Sequence, residues 1–312
     1  TAQAAIQSYY DNPTDANRKG DEFIAATTIT GEDGPTLVKN GDAIIFLNYR
    51  GDRTREITKA FVLPDDQWQS IEGGGFERGE QIKDLYFATM TGYESGLPVN
   101  VIFEKPDKMP NILGEYVSSL NLNQFRCAET EKYPHVTFFF NDYRDDPFSE
   151  ESRGMAASPR DVSTYDQKPE MSAEDVTAKV LAEIESAESA LIVVNFANGD
   201  MVGHTGVLEA AIKAVETVDA CVGRIVDATL AKGGSLVVTA DHGNCEQMVD
   251  PASGGPHTAH TTFDVPLIVV EPDIEGKRLH EGGRLADIAP TILELMGLPI
   301  PEQMTGAPLL KL

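Results

Sequence analysis

Apolar positions in this chain come in short runs, with amphipathic stretches between several of them. The runs at 23–29, 43–48, 85–90, 99–103, 136–140, 191–196, 236–240 and 265–270 have the length of strands, and a further short strand is expected at 124–127. Elsewhere apolar residues recur every three or four positions, which gathers them on one face of a helix. The clearest case is 208–230, where Leu208, Ala211, Ile212, Val215, Val218, Val222, Ile225 and Val226 repeat at helical steps and Gly233-Gly234 ends the pattern. Residues 173–187 do the same with Val176, Val180, Leu181 and Ile184, with Ser172 as N-cap and Asp175 at the capping-box position. Asp287 is expected to cap a helix that carries Pro290, Ile292, Leu293, Leu295 and Met296 and ends at Gly297. Residues 2–10 read as a helix already under way.

Strands alternate with helices over the last two-thirds of the chain, which predicts an α/β sheet with parallel strands. The first hundred residues have shorter strands, more polar turns and the run Gly73-Gly74-Gly75. A boundary is therefore expected near Glu104-Lys105-Pro106, giving domains 1–104 and 105–312. Residues 141–167 are charged, contain Pro147 and Pro159 and show no period, so they are expected to form a long surface loop.

Composition narrows the function classes. With 312 residues, 41% hydrophobic and 24% charged, the chain can bury one large core or two smaller ones, and wholesale disorder is excluded. Its longest apolar stretches fall far short of the ~20 residues of a membrane helix. Asp and Glu number 50 against 25 Lys and Arg, a net charge of −25 that repels nucleic acid and anionic membranes. An anionic substrate would need local cations or metal ions to offset that field. Cys127, Cys221 and Cys245 are widely spaced, with no CxxC, which argues against a disulfide framework or a thiolate zinc site and fits the cytoplasm. No signal peptide is visible, and the chain is expected to be a piece of something longer.

Four of the six histidines lie near the C-terminal ends of expected strands, the edge where open α/β sheets bind ligands. After strand 191–196, Asp200 and His204 flank a glycine-bearing turn and can face one point beyond the sheet. Strand 236–240 ends in Asp241-His242-Gly243-Asn244, and His257 and His260 precede the strand at 265–270. Asp-His-Gly alone is an ordinary tight turn, but three strand ends offering carboxylate and imidazole together point to metal. These donors, without cysteine, suit Mn²⁺ or Zn²⁺, with Fe²⁺ and Co²⁺ as alternatives. Counting one of His257 and His260, five such residues exceed one tetrahedral ion, so a pair of ions performing in-line phosphoryl displacement is the natural arrangement. Arg50 and Arg53 stand at the first turn of a helix-like segment, 54–62, where they either clamp an anion or are neutralised by Asp52 and Glu56. Lys132 is either a phosphate-facing cation or a turn residue paired with its glutamates. His135 reads as a strand residue, His280 as a surface-loop residue, Cys245 as a small buried group near the site, and Trp68 and 138–140 as packing.

The segments Asn198-Gly199-Asp200-Met201-Val202-Gly203-His204-Thr205, Thr239-Ala240-Asp241-His242-Gly243-Asn244, His257-Thr258-Ala259-His260-Thr261, Asn48-Tyr49-Arg50-Gly51-Asp52-Arg53 and Glu129-Thr130-Glu131-Lys132-Tyr133 together resemble the cofactor-independent phosphoglycerate mutases. The tail from Asp287 to Gly297 resembles the wider alkaline phosphatase superfamily. The resemblance implies an alkaline-phosphatase-like parallel sheet flanked by helices, plus part of a second α/β substrate domain. It also implies an isomerase that interconverts 3-phosphoglycerate and 2-phosphoglycerate through a phosphoserine, with two Mn²⁺ ions and without 2,3-bisphosphoglycerate. Asp200, His204 and His260 would hold one ion, Asp241 and His242 would contribute to the other, Lys132 would steady serine and phosphate, and Arg50 with Arg53 would grip the substrate. His260 is preferred because it is nearest the following strand, with His257 as the alternative. The family's Asp-Gly-Tyr-Gly and Asn-Ser-Glu-Val-Gly-His motifs do not occur in this sequence. The chain is therefore expected to be the C-terminal portion of such an enzyme, inactive alone, a cytoplasmic monomer that pairs with its missing N-terminal portion. The alternatives are another metal-dependent phosphatase or phosphomutase of the superfamily, or a non-catalytic metal-binding module.

Overall fold

A computed structural model describes the chain except residues 15–19, 32–33, 36, 52, 72–74, 105–106, 273, 277 and 312. Asp52, Gly73, Gly74, Lys105 and Pro106, invoked above, lie outside the described residues. The rest forms two units, Thr1–Lys108 and Met109–Leu312.

In the first unit, helix α1 (Ala2–Asp11) is capped by the Thr1 hydroxyl, which accepts from Ala4 N at 3.2 Å. The expected strand at 23–29 does not form: Asp21–Phe23 is a single 3₁₀ turn, and residues 25–29 are exposed, so the run has no buried face to hold it extended. β1 (Thr30–Gly31) and β2 (Gly34–Pro35) make a minimal antiparallel pair. β3 (Ala43–Phe46) is followed by α2 (Thr54–Val62) and α3 (Asp65–Gln69). β4 (Tyr86–Thr91) lies between β3 and β5 (Asn100–Phe103) in a parallel sheet. The central strand buries Phe87, Ala88 and Thr89, and the Phe61 ring of α2 packs 5.8 Å from Phe87.

The second unit is built on a parallel sheet in the order β7-β6-β8, with β6 (Gln124–Glu129) between β7 (Glu151–Ala156) and β8 (Leu191–Asn195). Helices cover both faces. On one, Phe125 and Cys127 meet Val176 and Val180 of α6 (Ala173–Ser186) and Ile225 of α8 (Leu208–Ala231). On the other, Leu191 meets Leu113 and Val117 of α4 (Leu113–Ser119) and Leu293 of α9 (Ile288–Leu295). Burying each such side chain contributes about 1.5–3 kcal/mol. The short helices α5 (Tyr133–Val136) and α7 (Asn198–Gly203) follow β6 and β8.

Several expectations change here. The run 136–140 is not a strand, because Pro134 sits in the first turn of α5 and the Thr137 hydroxyl donates back to Tyr133 O at 2.7 Å; His135 is thus a helix residue packed edge-on against Phe139. The expected loop 141–167 contains β7, a polar edge strand whose pattern carries no apolar alternation. Ser172 is the N-cap residue of α6, as expected, but its side chain makes no capping bond; the hydroxyl donates to Ala157 O at 2.7 Å instead. The glycine-bearing turn after β8 is helical, as α7. β9 (Leu236–Thr239) pairs with β10 (Leu267–Val270) antiparallel, since no helix crosses over between them. Ile192 and Val194 of β8 and Leu236 of β9 pack on the same α6 and α8 layer, yet no ladder joins β8 to β9 among the described residues. The C-terminal tail closes with β11 (Arg278–Leu279) paired to β12 (Leu310–Lys311).

Candidate metal centre

The ends of β8 and β9 and the segment before β10 converge on Asp200. In α7, Asp200 and His204 are four positions apart, the spacing that stacks two side chains on one helix face. His204 Nε2 lies 3.1 Å from Asp200 Oδ1, His260 Nε2 lies 3.0 Å from the same oxygen, and the two ring nitrogens are 3.1 Å apart. His204 Nδ1 is 2.7 Å from Thr258 O. A carbonyl only accepts, so Nδ1 carries a ring proton, and Nε2 is the ring atom turned toward the cluster. Burial and the neighbouring His242 lower the His260 pKa against the pull of Asp200.

The second carboxylate oxygen of Asp200 accepts from the Nζ of Lys132, a buried side chain on the turn after β6. Burial works against ionising Asp200, but hydrogen bonds from His204 and Lys132 and the lysine charge outweigh it and hold the carboxyl well below its ordinary range. His242 stacks on His260 with ring centroids 3.8 Å apart, its Nε2 4.0 Å from Asp200 Oδ1 and 3.7 Å from Asp241 Oδ2. The Asp241 side chain is 59% exposed. His257 is not in the group of donor atoms at Asp200; its backbone N–H donates to Met248 O at 3.0 Å.

This donor set fits a divalent ion. Atoms held ~2.1 Å from one ion at right angles to each other stand ~3.0 Å apart, close to all three edges of the Asp200, His204 and His260 triangle. Asp200, His242 and His260 also group their donor atoms within 4.8 Å. Asp241 and His242 offer two donors on the outer side.

Asn244, Glu246 and Thr258 were not singled out by sequence, although each holds a ligand-bearing segment. The Asn244 amide donates to Asp200 Oδ1, and Glu246 accepts from Asn244 N at 2.7 Å and from the Thr261 hydroxyl. The only signal was their place beside the Asp-His-Gly and Thr-Ala-His stretches. Cys245 lies near the site but is half-buried rather than buried; its thiol donates to Gly199 O at 2.8 Å and its pKa is pushed up to about 11 by burial and by Glu246 and Asp200. In the first unit, Arg50 and Arg53 are exposed near the N-terminus of α2, and the Thr54 hydroxyl donates to Arg50 O at 2.6 Å.

Residues 17–300 match the metalloenzyme superfamily. The chain belongs to that superfamily. It is 74% identical, over its full length, to 58% of a 2,3-bisphosphoglycerate-independent phosphoglycerate mutase of Rhodopirellula baltica. A protein of the same name from Clostridium beijerinckii is 51% identical over 97% of this chain and 56% of its own length. A crystal structure of Leishmania mexicana phosphoglycerate mutase at low cobalt concentration superposes with a TM-score of 0.81 at 28% identity, covering 100% of this chain and 58% of that one. The chain thus spans a little over half the length of these relatives. The superfamily match and the donor cluster at Asp200 both point to dependence on a divalent metal. No helix among the described residues is long and apolar enough to cross a membrane.

Proposed function

We propose that the protein interconverts 3-phosphoglycerate and 2-phosphoglycerate, without 2,3-bisphosphoglycerate, through a phosphoserine formed on a residue this chain does not contain. The observation that carries this reading is the triangle of Asp200, His204 and His260 with Lys132 on the remaining carboxylate oxygen, in a chain whose relatives bear the mutase name. Asp200, His204 and His260 hold one Mn²⁺, and Asp241 with His242 contributes to a second. A divalent ion supplies Lewis-acid polarisation of phosphoryl oxygens and offsets their charge. Lys132 adds a fixed cation beside the same point, against a net charge of −25. Because Lys132 is buried and bonded to Asp200, it holds the carboxylate in one orientation while keeping its positive charge near the phosphoryl position. Arg50 and Arg53 bind the substrate's carboxylate or phosphate through guanidinium forks. The protein acts in the cytoplasm as a monomer. This chain by itself binds metal without turnover, and becomes competent when joined to the remaining part of the enzyme.

Phosphorus NMR of the chain with 3-phosphoglycerate and Mn²⁺ tests this in one series. No conversion, with Mn²⁺ bound, is expected, and conversion should appear once the chain is extended to the length of its relatives. Appearance of 2-phosphoglycerate with the chain alone would overturn the need for a further segment. Release of free phosphate would favour a hydrolase of the same superfamily.

A further inference from the structure

Asn244 is 4% exposed and directs its side chain at the residue on which the metal centre turns. Its Nδ2 donates to Asp200 Oδ1 at 3.1 Å and to the Asp200 backbone oxygen at 3.3 Å. The two residues follow strands that share no ladder among the described residues: Asp200 comes after β8 and Asn244 after β9. A second observation bears on the same contact. A Cβ built at Gly203 would collide with Asn244 Oδ1 and stand 2.7 Å from its Cγ, so any side chain at 203 would drive the carboxamide from its seat. Gly203 has no left-handed backbone to explain its identity, since it lies within α7 and is absent from the positive-φ residues.

We propose that Asn244 is a positioning residue that locks the Asp200 carboxylate for metal binding, and that position 203 is glycine in order to seat it. The proposal rests on the metal reading given above. Lys132 takes one carboxylate oxygen and the Asn244 amide takes the other from the side, so the carboxylate cannot rotate. The remaining lone pair of Oδ1 is left toward His204 and His260. An outer partner of this kind acts by orienting a ligand before the ion arrives.

The test is Mn²⁺ titration calorimetry on the chain and on four variants, with circular dichroism of each metal-free form to verify folding. Asn244→Ala and the similarly sized Asn244→Leu are both expected to weaken Mn²⁺ binding by roughly 10–100-fold. Gly203→Ala is expected to weaken it to the same extent. Adding Gly203→Ala to Asn244→Ala should cost nothing further, because the carboxamide it displaces is already gone. Affinity preserved in Asn244→Leu but lost in Asn244→Ala would mean that the residue only fills space, and the proposal falls. Additive losses in the double variant would overturn the role given to Gly203. If Gly203→Ala does not fold, the comparison of Asn244→Leu with Asn244→Ala decides the matter alone. Failure of the unsubstituted chain to bind Mn²⁺ would instead remove the metal reading and this proposal together.

Discussion

His204 reaches the cluster through Nε2 because Thr258 O takes the proton on Nδ1, which orients the ring before any ion arrives. His204→Ala removes one of three converging donors. Mn²⁺ affinity, measured by calorimetry, should drop by more than the roughly 10–100-fold that loss of an outer partner costs; an unchanged affinity would sink the assignment. His260 gives a second residue-level test. Its pKa is lowered from 6.5, so its protons leave at lower pH than those of a free imidazole. An NMR titration of the metal-free ring should show its midpoint below 6.5, and a midpoint above it would mean that Asp200 dominates over burial and His242. Asp200, His204 and His260 were legible in the sequence because a metal centre needs particular donor types at strand ends. Asn244 and Thr258 were not, since one acts through its amide and the other through its backbone carbonyl, and neither function depends on a distinctive spacing.

At the level of elements, what was legible followed burial. α8 and α6 announce themselves by an apolar stripe, and β8 by an apolar run with helices on both faces. β6 and β7 were harder to see because polar residues occupy them. Gln124, Arg126 and Glu129 are all fully buried in β6, yet the Gln124 amide donates to Gly114 O at 2.7 Å and Glu129 accepts from the Ser158 hydroxyl at 2.8 Å. Local propensity gives no hint of those partners. At the start of α9 the expected cap, Asp287, spends its carboxylate on the segments around the helix: Oδ2 accepts from Arg284 N at 2.8 Å and Oδ1 from Ala307 N at 2.9 Å. The backbone donors at Ala307 and Arg284 hold its pKa below the ordinary 3.8. The native state thus takes up this proton less readily than the unfolded chain does, so the contribution is present above 3.8 and is lost as pH falls through the lower folded value. Asp287→Ala is expected to destabilise the second unit by about 1.5–3 kcal/mol in urea denaturation at neutral pH. The gap to the unsubstituted chain should shrink below about pH 4, and a gap independent of pH would assign the effect to packing.

For the molecule as a whole, the strand order has a mechanical meaning. Asp200 and His204 ride on β8 and α7, while Asp241, His242 and His260 ride on the β9 and β10 side, and among the described residues no backbone ladder links the two. The candidate metal centre therefore spans a joint between two plates that share a layer of helices, and an ion bound there would work as a clasp. Mn²⁺ at 100 times its dissociation constant should stabilise the fold by about 2.7 kcal/mol. The gain should be uneven: hydrogen exchange should slow in β9 and β10 and in α7, and change little in β6 and β7, whose ladder is complete without the ion. Equal slowing everywhere would mean that the plates already move as one. In the uneven case, a chelator would loosen the joint while leaving both plates standing, and stiffness would be something the molecule acquires with its metal.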